Sequence, residues 1–263
     1  MTLNKRGLNV DIKVIGCSGA ELPGYRIPAF LLNEEILFDA GSLTNVLNEK
    51  AQFKIKNIFI THAHLDHLRG IPFLVDNITM RNMSHRVNIL SIAPVLRTIK
   101  RHIFNSSIWP DFTLMPYPDS PILNLIKLSV GKPIEVNNYA ITPYAVNHAV
   151  PAVGYLVENK NRRLFYTGDM APSSNTWENI GKKKIHCLII DVSFPNNMEE
   201  RAIRSGHLTS NLLEKELMKM HCRPGKVCIT HMKPQYSKQI KNELERLKIK
   251  NLLLLRAGDT IRI

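Results

Sequence analysis

Thr61-His62-Ala63-His64-Leu65-Asp66-His67 sets three imidazoles and a carboxylate at positions i, i+2, i+4 and i+5, directly behind the apolar run Ile58-Phe59-Ile60. At the end of a strand, His62 and His64 can converge on one ion. As the chain then curls into a helix, Asp66 and His67 turn toward a second. Imidazole nitrogen and carboxylate oxygen with no thiolate suit Zn²⁺, or a neighbouring divalent metal, kept open for catalysis. Two metals need more donors than this motif supplies, and three later residues stand at strand ends to supply them. His148 follows residues 140–146, Asp169 follows Leu164-Phe165-Tyr166-Thr167-Gly168, and His231 follows residues 227–230.

The elements that position these residues are legible as short patterns. Residues 10–15 alternate like a first strand, and 29–32 with 36–38 form a hairpin turning at Asn33-Glu34-Glu35. Asp39-Ala40-Gly41 ends that hairpin with an acid close to where the metal motif must lie. Residues 43–50 are expected as a short helix, 56–60 as the strand feeding the ligands, and 70–80 as a helix after the motif. From 86 to 133 the pattern is less regular: a strand at 87–90, a helix from Pro94 toward Phe104, then a loop carrying Trp109 and Phe112. Strands resume at 134–136, 140–146, 154–158 and 163–166, followed by a buried strand at 187–191. Thr209 caps a helix over 210–221, and a buried strand spans 227–230. An amphipathic helix at 237–247 and a core strand at 252–255 complete the chain. Strand runs each followed by helices imply an α/β architecture of two packed sheets with helices outside. No linker, low-complexity tract or repeat divides the chain. A single domain over 1–263 is expected, with a helical and looped insertion around 91–133.

Composition bounds the function classes. Hydrophobic residues make up 44% and charged residues 22% of the 263, as in a globular protein. No apolar run approaches the roughly 20 residues of a membrane span. Met1 to Arg6 is polar and leads into a strand without a signal-peptide core, so a cytoplasmic protein is expected. Cys17, Cys187, Cys222 and Cys228 lack CxxC spacing and are expected as reduced, mostly buried thiols. The formal charge of +13 suits either a nucleic-acid surface or a field drawing anionic substrates into a cleft. Lys and Arg are scattered, however, and Lys182-Lys183-Lys184 is a run with no interleaved aromatic, which disfavours nucleic acid.

With HxHxDH and the later His, Asp and His in place, the chain resembles the metallo-β-lactamase superfamily over essentially its whole length. The resemblance implies an αββα sandwich with a dinuclear site at one edge. It implies that His62, His64 and His148 hold one metal and Asp66, His67 and His231 the other, that Asp169 bridges them, and that Asp39 supports the ligands from behind. His64, where the redox branch has Glu, points to the hydrolytic branch. Ser193-Phe194-Pro195-Asn196 with Ser205-Gly206-His207-Leu208-Thr209 resembles the class II cyclic-nucleotide phosphodiesterases. His102-Ile103-Phe104-Asn105 with Ile108-Trp109-Pro110-Asp111, and Leu65 within the motif, do so as well. The Gly-His-Leu-Thr stretch also resembles the Gly-His-Ser-Thr of tRNase Z. There the His is backed by the acid of a His-Glu-Ala-Thr-Phe strand; matching Phe194 to that Phe sets Asp191 on the Glu, but Ile190 on the His.

The expected activity is hydrolysis of 3′,5′-cyclic nucleotides, cAMP and cGMP included, to 5′-nucleotides by a hydroxide bridging two divalent ions, Zn²⁺ or Mn²⁺. Asp66 is a catalytic residue in this scheme through the metals. His207 donates the proton that the 3′ oxygen needs on leaving, and Asp191 orients His207 and keeps its acid form populated. Trp109 and Phe104 offer stacking faces for the base, Asn105 an amide edge, and His207 lies beside the phosphate. The partner is thus a small cyclic nucleotide, with a homodimer implied by the resemblance. A tRNase Z-like 3′ endonuclease is the main rival, favoured by charge and opposed by the missing Gly/Pro-rich arm. Lactone or thioester hydrolysis has no need of the His207–Asp191 pair, and a module without turnover should have lost ligands.

Overall fold

The computed structural model describes residues 10–82 and 84–263; the polar lead at residues 1–6 lies outside the described residues. The first half of the chain builds one sheet. Asp11–Gly16 (β1) leads into Ala29–Leu32 (β2) and Ile36–Phe38 (β3), both buried throughout. β2 and β3 pair as the expected hairpin, its turn made by Asn33 and Glu34 at positive φ (49° and 63°). The helix expected over 43–50 is a run of turns that ends in one helical turn, Glu49–Gln52 (α1). Asn48 accepts the Ala51 amide at 3.0 Å and so starts the helix several residues late. Next come Asn57–Phe59 (β4), Leu65–Leu68 (α2), Gly70–Arg81 (α3), Val87–Ile92 (β5) and Ala93–His102 (α4). A small ribbon, Pro116–Tyr117 (β6) with Ser120–Pro121 (β7), precedes Leu123–Leu128 (β8). The irregular stretch therefore also holds an edge strand, which pairs with β5 in parallel over six positions, from Val87↔Leu123 to Ile92↔Leu128.

The second half builds the other sheet. Its elements are Ile134–Val136 (β9), Tyr139–Val146 (β10), Ala152–Asn159 (β11), Arg162–Tyr166 (β12), Asn175–Ile180 (α5), Cys187–Asp191 (β13) and Glu199–Ser205 (α6). They continue with Ser210–Lys219 (α7), Lys226–Thr230 (β14), Ser237–Arg246 (α8) and Leu252–Leu254 (β15). Thr209 caps α7 by accepting the Leu212 amide, as its sequence position implied. Thr260–Arg262 (β16) returns to pair with β1. Among the described residues the sheets run β16-β1-β2-β3-β4-β5-β8 and β15-β14-β13-β12-β11-β10-β9.

The inner faces meet in a core of Phe30, Phe38, Phe59, Tyr155, Tyr166, Ile141, Ile189 and their neighbours. Phe59 lies edge-on to Tyr155 at 5.3 Å, and the Tyr155 hydroxyl crosses between sheets to donate to the Ile60 carbonyl at 2.7 Å. Burying each such ring contributes roughly 1.5–3 kcal/mol, which is why the sheets hold one register. Helices α1–α4 cover one outer face through Ala51, Leu68, Leu74 and Ile99, and α5, α7 and α8 cover the other through Trp177, Leu213 and Ile240. The result is the expected αββα sandwich. Strands β3, β4, β5 and β8 are parallel, as are β12 to β15, with Phe38↔Phe59 and Asp191↔Thr230 in register. Parallel strands in register end at one edge, so the residues that follow them gather there.

Candidate active site

Asp39 follows β3 at positive φ (54°) and is fully buried. It accepts the Thr61 amide at 2.9 Å, the Thr61 hydroxyl, the Tyr166 hydroxyl at 2.6 Å and His67 Nδ1 at 2.8 Å. These bonds fix the exit from β4 and the tautomer of His67, leaving Nε2 to face inward. That atom is buried and makes no hydrogen bond. His64 is the residue before α2, so Asp66 and His67 lie on a single helical turn while His62 and His64 precede it.

Two donor clusters result. The ligand atoms of His62, His64, His148 and Asp169 all lie within 4.8 Å of one another, as do those of Asp66, His67, Asp169 and His231. Asp169 belongs to both, its Oδ2 being 3.7 Å from His62 Nε2, 3.3 Å from His67 Nε2 and 3.4 Å from His231 Nε2. Each cluster brings together the residues that the resemblance groups around one ion, with Asp169 common to both. A bare, buried His67 Nε2 and all-N/O donor sets fit a pair of divalent cations. Burial holds His62 well below the usual histidine range, helped by the neighbouring imidazoles, and burial also lowers His64 and His148. Neutral imidazoles are what a metal needs. Burial opposes charge on Asp66 and Asp169, but the adjacent histidines outweigh it and hold both carboxyls below the usual range. Burial likewise opposes charge on His67, which Asp169 and Asp39 outweigh, holding it well above the usual value.

Backbone geometry aims the remaining ligands. His148 donates through Nδ1 to the Gly206 carbonyl at 2.8 Å. Gly206 ends α6 at φ +83°, where a Cβ would stand 2.4 Å from that same Nδ1, so the position excludes a side chain. His231 sits at φ +63° directly after β14, its amide bonded to the Cys17 carbonyl at 2.7 Å. A non-glycine residue held there is strained, and such strain concentrates at ligand-binding positions.

Asp191, at the end of β13 and fully buried, holds His207 by an Oδ2···Nδ1 contact of 2.8 Å. His207 precedes the cap of α7 and stacks on His231 at 5.2 Å. Burial pushes its pKa down, and Asp191 more than restores it, so the acid form extends above the ordinary histidine value. Sequence reasoning missed Ser193. Its hydroxyl donates to Asp191 Oδ1 at 2.6 Å and lies 2.8 Å from His231 Nδ1, tying the dyad to a ligand. The signal was present: Asp191 and Ser193 are two apart in extended chain and so share a face.

The expected base-binding residues are placed differently. Phe104 is fully buried against Phe112, so its ring presents no face to a ligand. Asn105 uses its amide within its own loop, donating to the Arg101 carbonyl and accepting from the Ser107 and Ile108 amides. Trp109 is half-buried, edge-on to Phe73 at 5.2 Å, and retains a partly open ring. The four cysteines are free; Cys187 and Cys228 are buried, Cys17 is half-buried and Cys222 is exposed. Among the described residues no helix is long and apolar enough to cross a membrane.

A family model, the β-lactamase superfamily domain, matches residues 35–232. The chain belongs to this superfamily. Its metallo-β-lactamase fold and its His/Asp clusters make it a hydrolase of that group. Among superfamily relatives, a Yersinia pestis protein named "Probable 3′,5′-cyclic-nucleotide phosphodiesterase" is 26% identical over 208 residues. That match covers 69% of this chain and 58% of the relative, less than two thirds of its length. A ribonuclease Z of Archaeoglobus fulgidus is 24% identical over 269 residues, covering 82% of this chain and 83% of that one. Of solved superfamily structures, unliganded yeast PDE1 superposes with a TM-score of 0.82 at 18% identity, over 97% of this chain and 100% of that one.

Proposed function

We propose that the protein is a metal-dependent phosphodiesterase that hydrolyses 3′,5′-cyclic nucleotides to 5′-nucleotides. The observation that carries this is the Asp191–His207 pair beside two four-donor clusters that share Asp169. His62, His64, His148 and Asp169 would hold one divalent ion and Asp66, His67, His231 and Asp169 the other, Zn²⁺ or Mn²⁺ by donor chemistry. Two such ions supply an activated water and charge for the phosphate oxygens. The protein's own residues do the rest. Asp39 locks His67, the Gly206 carbonyl locks His148, and Ser193 ties His231 to Asp191. With Nδ1 engaged by Asp191, His207 presents Nε2 toward the departing 3′ oxygen and gives up its proton as the P–O3′ bond breaks, worth roughly 10²–10⁴-fold. The partner is then a small cyclic nucleotide, and the setting cytoplasmic.

A second reading, a tRNase Z-like 3′ endonuclease, is favoured by the charge of +13 and the likeness to a ribonuclease Z. The test separates them. Metal-loaded protein is incubated with 3′,5′-cyclic AMP and, separately, with a precursor tRNA, and the products are resolved by chromatography. Formation of 5′-AMP, abolished by Asp66→Ala, supports the proposal. Intact cyclic AMP alongside a trimmed tRNA moves the protein to the endonuclease branch.

A further inference from the structure

Beside the Cys17–Ser18 segment, a cleft of about 660 Å³ opens at the carboxyl ends of β14 and β15. Arg26 enters from the 17–26 loop, Lys238 and Lys241 from the first turns of α8, and Arg256 from the turn after β15. No Asp or Glu lines it among the described residues, although the Asp259 carboxylate accepts the Arg256 amide at 2.8 Å beside it. Lys241 pairs with Glu245 at 3.8 Å, whereas the side chains of Arg26, Lys238 and Arg256 have no carboxylate partner among the described residues. Cations gathered from three separate segments repel one another unless an anion joins them.

The floor of the cleft is apolar. Met232 and Leu255 form its base, and the Tyr25 ring, 45% exposed, stands at its rim. A lone inorganic anion would leave that surface unused, and the volume lies within the roughly 300–1,000 Å³ of small-molecule sites. The start of the ten-residue α8 adds a helix terminus that favours negative charge. Phosphate charge combined with a flat apolar body describes a nucleotide.

The 17–19 segment, whose Cys17 and Ser18 line the cleft, is tied by its backbone to the segment that carries His231. The His231 amide bonds to the Cys17 carbonyl at 2.7 Å and the Gly19 amide to the Met232 carbonyl at 3.0 Å. A Cβ on Gly19 would stand 2.2 Å from the His231 carbonyl oxygen, so the two segments are tightly packed. None of the residues lining the cleft belongs to a metal-donor cluster. We propose that this cleft is a second site that binds a nucleoside diphosphate through Arg26, Lys238, Lys241 and Arg256.

Isothermal titration with ADP tests it on the metal-loaded full chain, on Lys238→Ala/Arg256→Ala, and on both EDTA-treated protein and Asp66→Ala. Lys238 and Arg256 are exposed, and far-UV circular dichroism checks that the double variant keeps its fold. The expected result is ADP binding that weakens about tenfold or more in the double variant and survives metal removal and Asp66→Ala. No ADP binding overturns the proposal, as does binding unaffected by the double variant. Binding lost on both metal removal and Asp66→Ala also overturns it, because the ligand would then sit at the metal centre. A 12-mer RNA captured by these cations while ADP is ignored overturns it in favour of a nucleic-acid track.

Discussion

On the proposed mechanism, replacing His207 with alanine should slow hydrolysis of 3′,5′-cyclic AMP by about 10²–10⁴-fold while leaving the metal content of the wild type unchanged. The magnitude follows from the geometry. Nδ1 is engaged by Asp191 at 2.8 Å and lies 3.3 Å from the Ser193 hydroxyl, so Nε2 is the proton source the ring offers. A ribose 3′ oxygen leaves badly as an alkoxide, and the full benefit of protonation is lost with the ring. Asp191→Asn retains the ring but removes the charge behind it. A charge-assisted hydrogen bond contributes about 1.5–3 kcal/mol, which converts to roughly 10–100-fold in rate. The decisive control is bis(p-nitrophenyl) phosphate, whose leaving group departs without a proton. His207→Ala should cost little on that substrate and the full factor on cyclic AMP, with 5′-AMP measured by chromatography and metals by emission spectroscopy. The reasoning is refuted if both substrates slow equally with metals retained. Loss of a metal would refute it differently, since Asp191, His207 and His231 also cluster closely enough to hold an ion.

Four further outcomes can be checked. Asp39→Asn disturbs four buried hydrogen bonds, and it should lower unfolding free energy by about 3 kcal/mol and metal affinity by roughly 10–100-fold; an unchanged affinity in metal titrations would remove its orienting role. Gly206→Ala should displace His148 and reduce binding to one metal, whereas Gly258→Ala, also at positive φ but with open space around it, should keep two. Burial raises the Asp111 carboxyl, but the Lys100 hydrogen bond and those from Thr113 outweigh it and hold it below its ordinary 3.8. A depressed folded value gives stability that is present above the unfolded pKa and disappears as pH falls through the folded one. Asp111→Asn should therefore destabilise by about 1 kcal/mol at pH 7 in urea titrations, and the gap from wild type should close as pH falls through the depressed folded value. Chelation should lower the melting temperature, and Zn²⁺ restored at about 100 times its Kd should return about 2.7 kcal/mol; equal melting with and without metal would mean that neither cluster binds.

The donor set was legible because its chemistry is written in residue types that have few other reasons to follow strands. Three of its members come as isolated residues, and what recovered them was their place behind apolar runs. The sandwich was legible for the same reason: buried strands such as 187–191 and 227–230 leave no polar face to mislead. What failed was local competition and the third dimension. Residues 43–50 have helical composition, yet Asn48 captured an amide and delayed the helix. Leu123–Leu128 looked irregular because its burial alternates unevenly at a sheet edge. Phe104 and Asn105 were proposed from a motif that says which residues are present, not which way they face. One ring turned into the core, and one amide closed its own loop.

Neither donor cluster can be completed within one sheet. His62, His64, Asp66 and His67 hang from the strand β4, while His148, Asp169 and His231 follow strands of the opposite sheet. During synthesis the first four emerge well before His231, and each cluster lacks its remaining donors until the second sheet has formed. In the proposed centre a cation is therefore retained only once the two halves have met face to face. Its arrival clamps them from the rim, much as the Tyr155 hydroxyl does from the middle. Metal stoichiometry in a freshly made sample would then report the fraction of chains that finished assembling, independently of how many can turn over substrate.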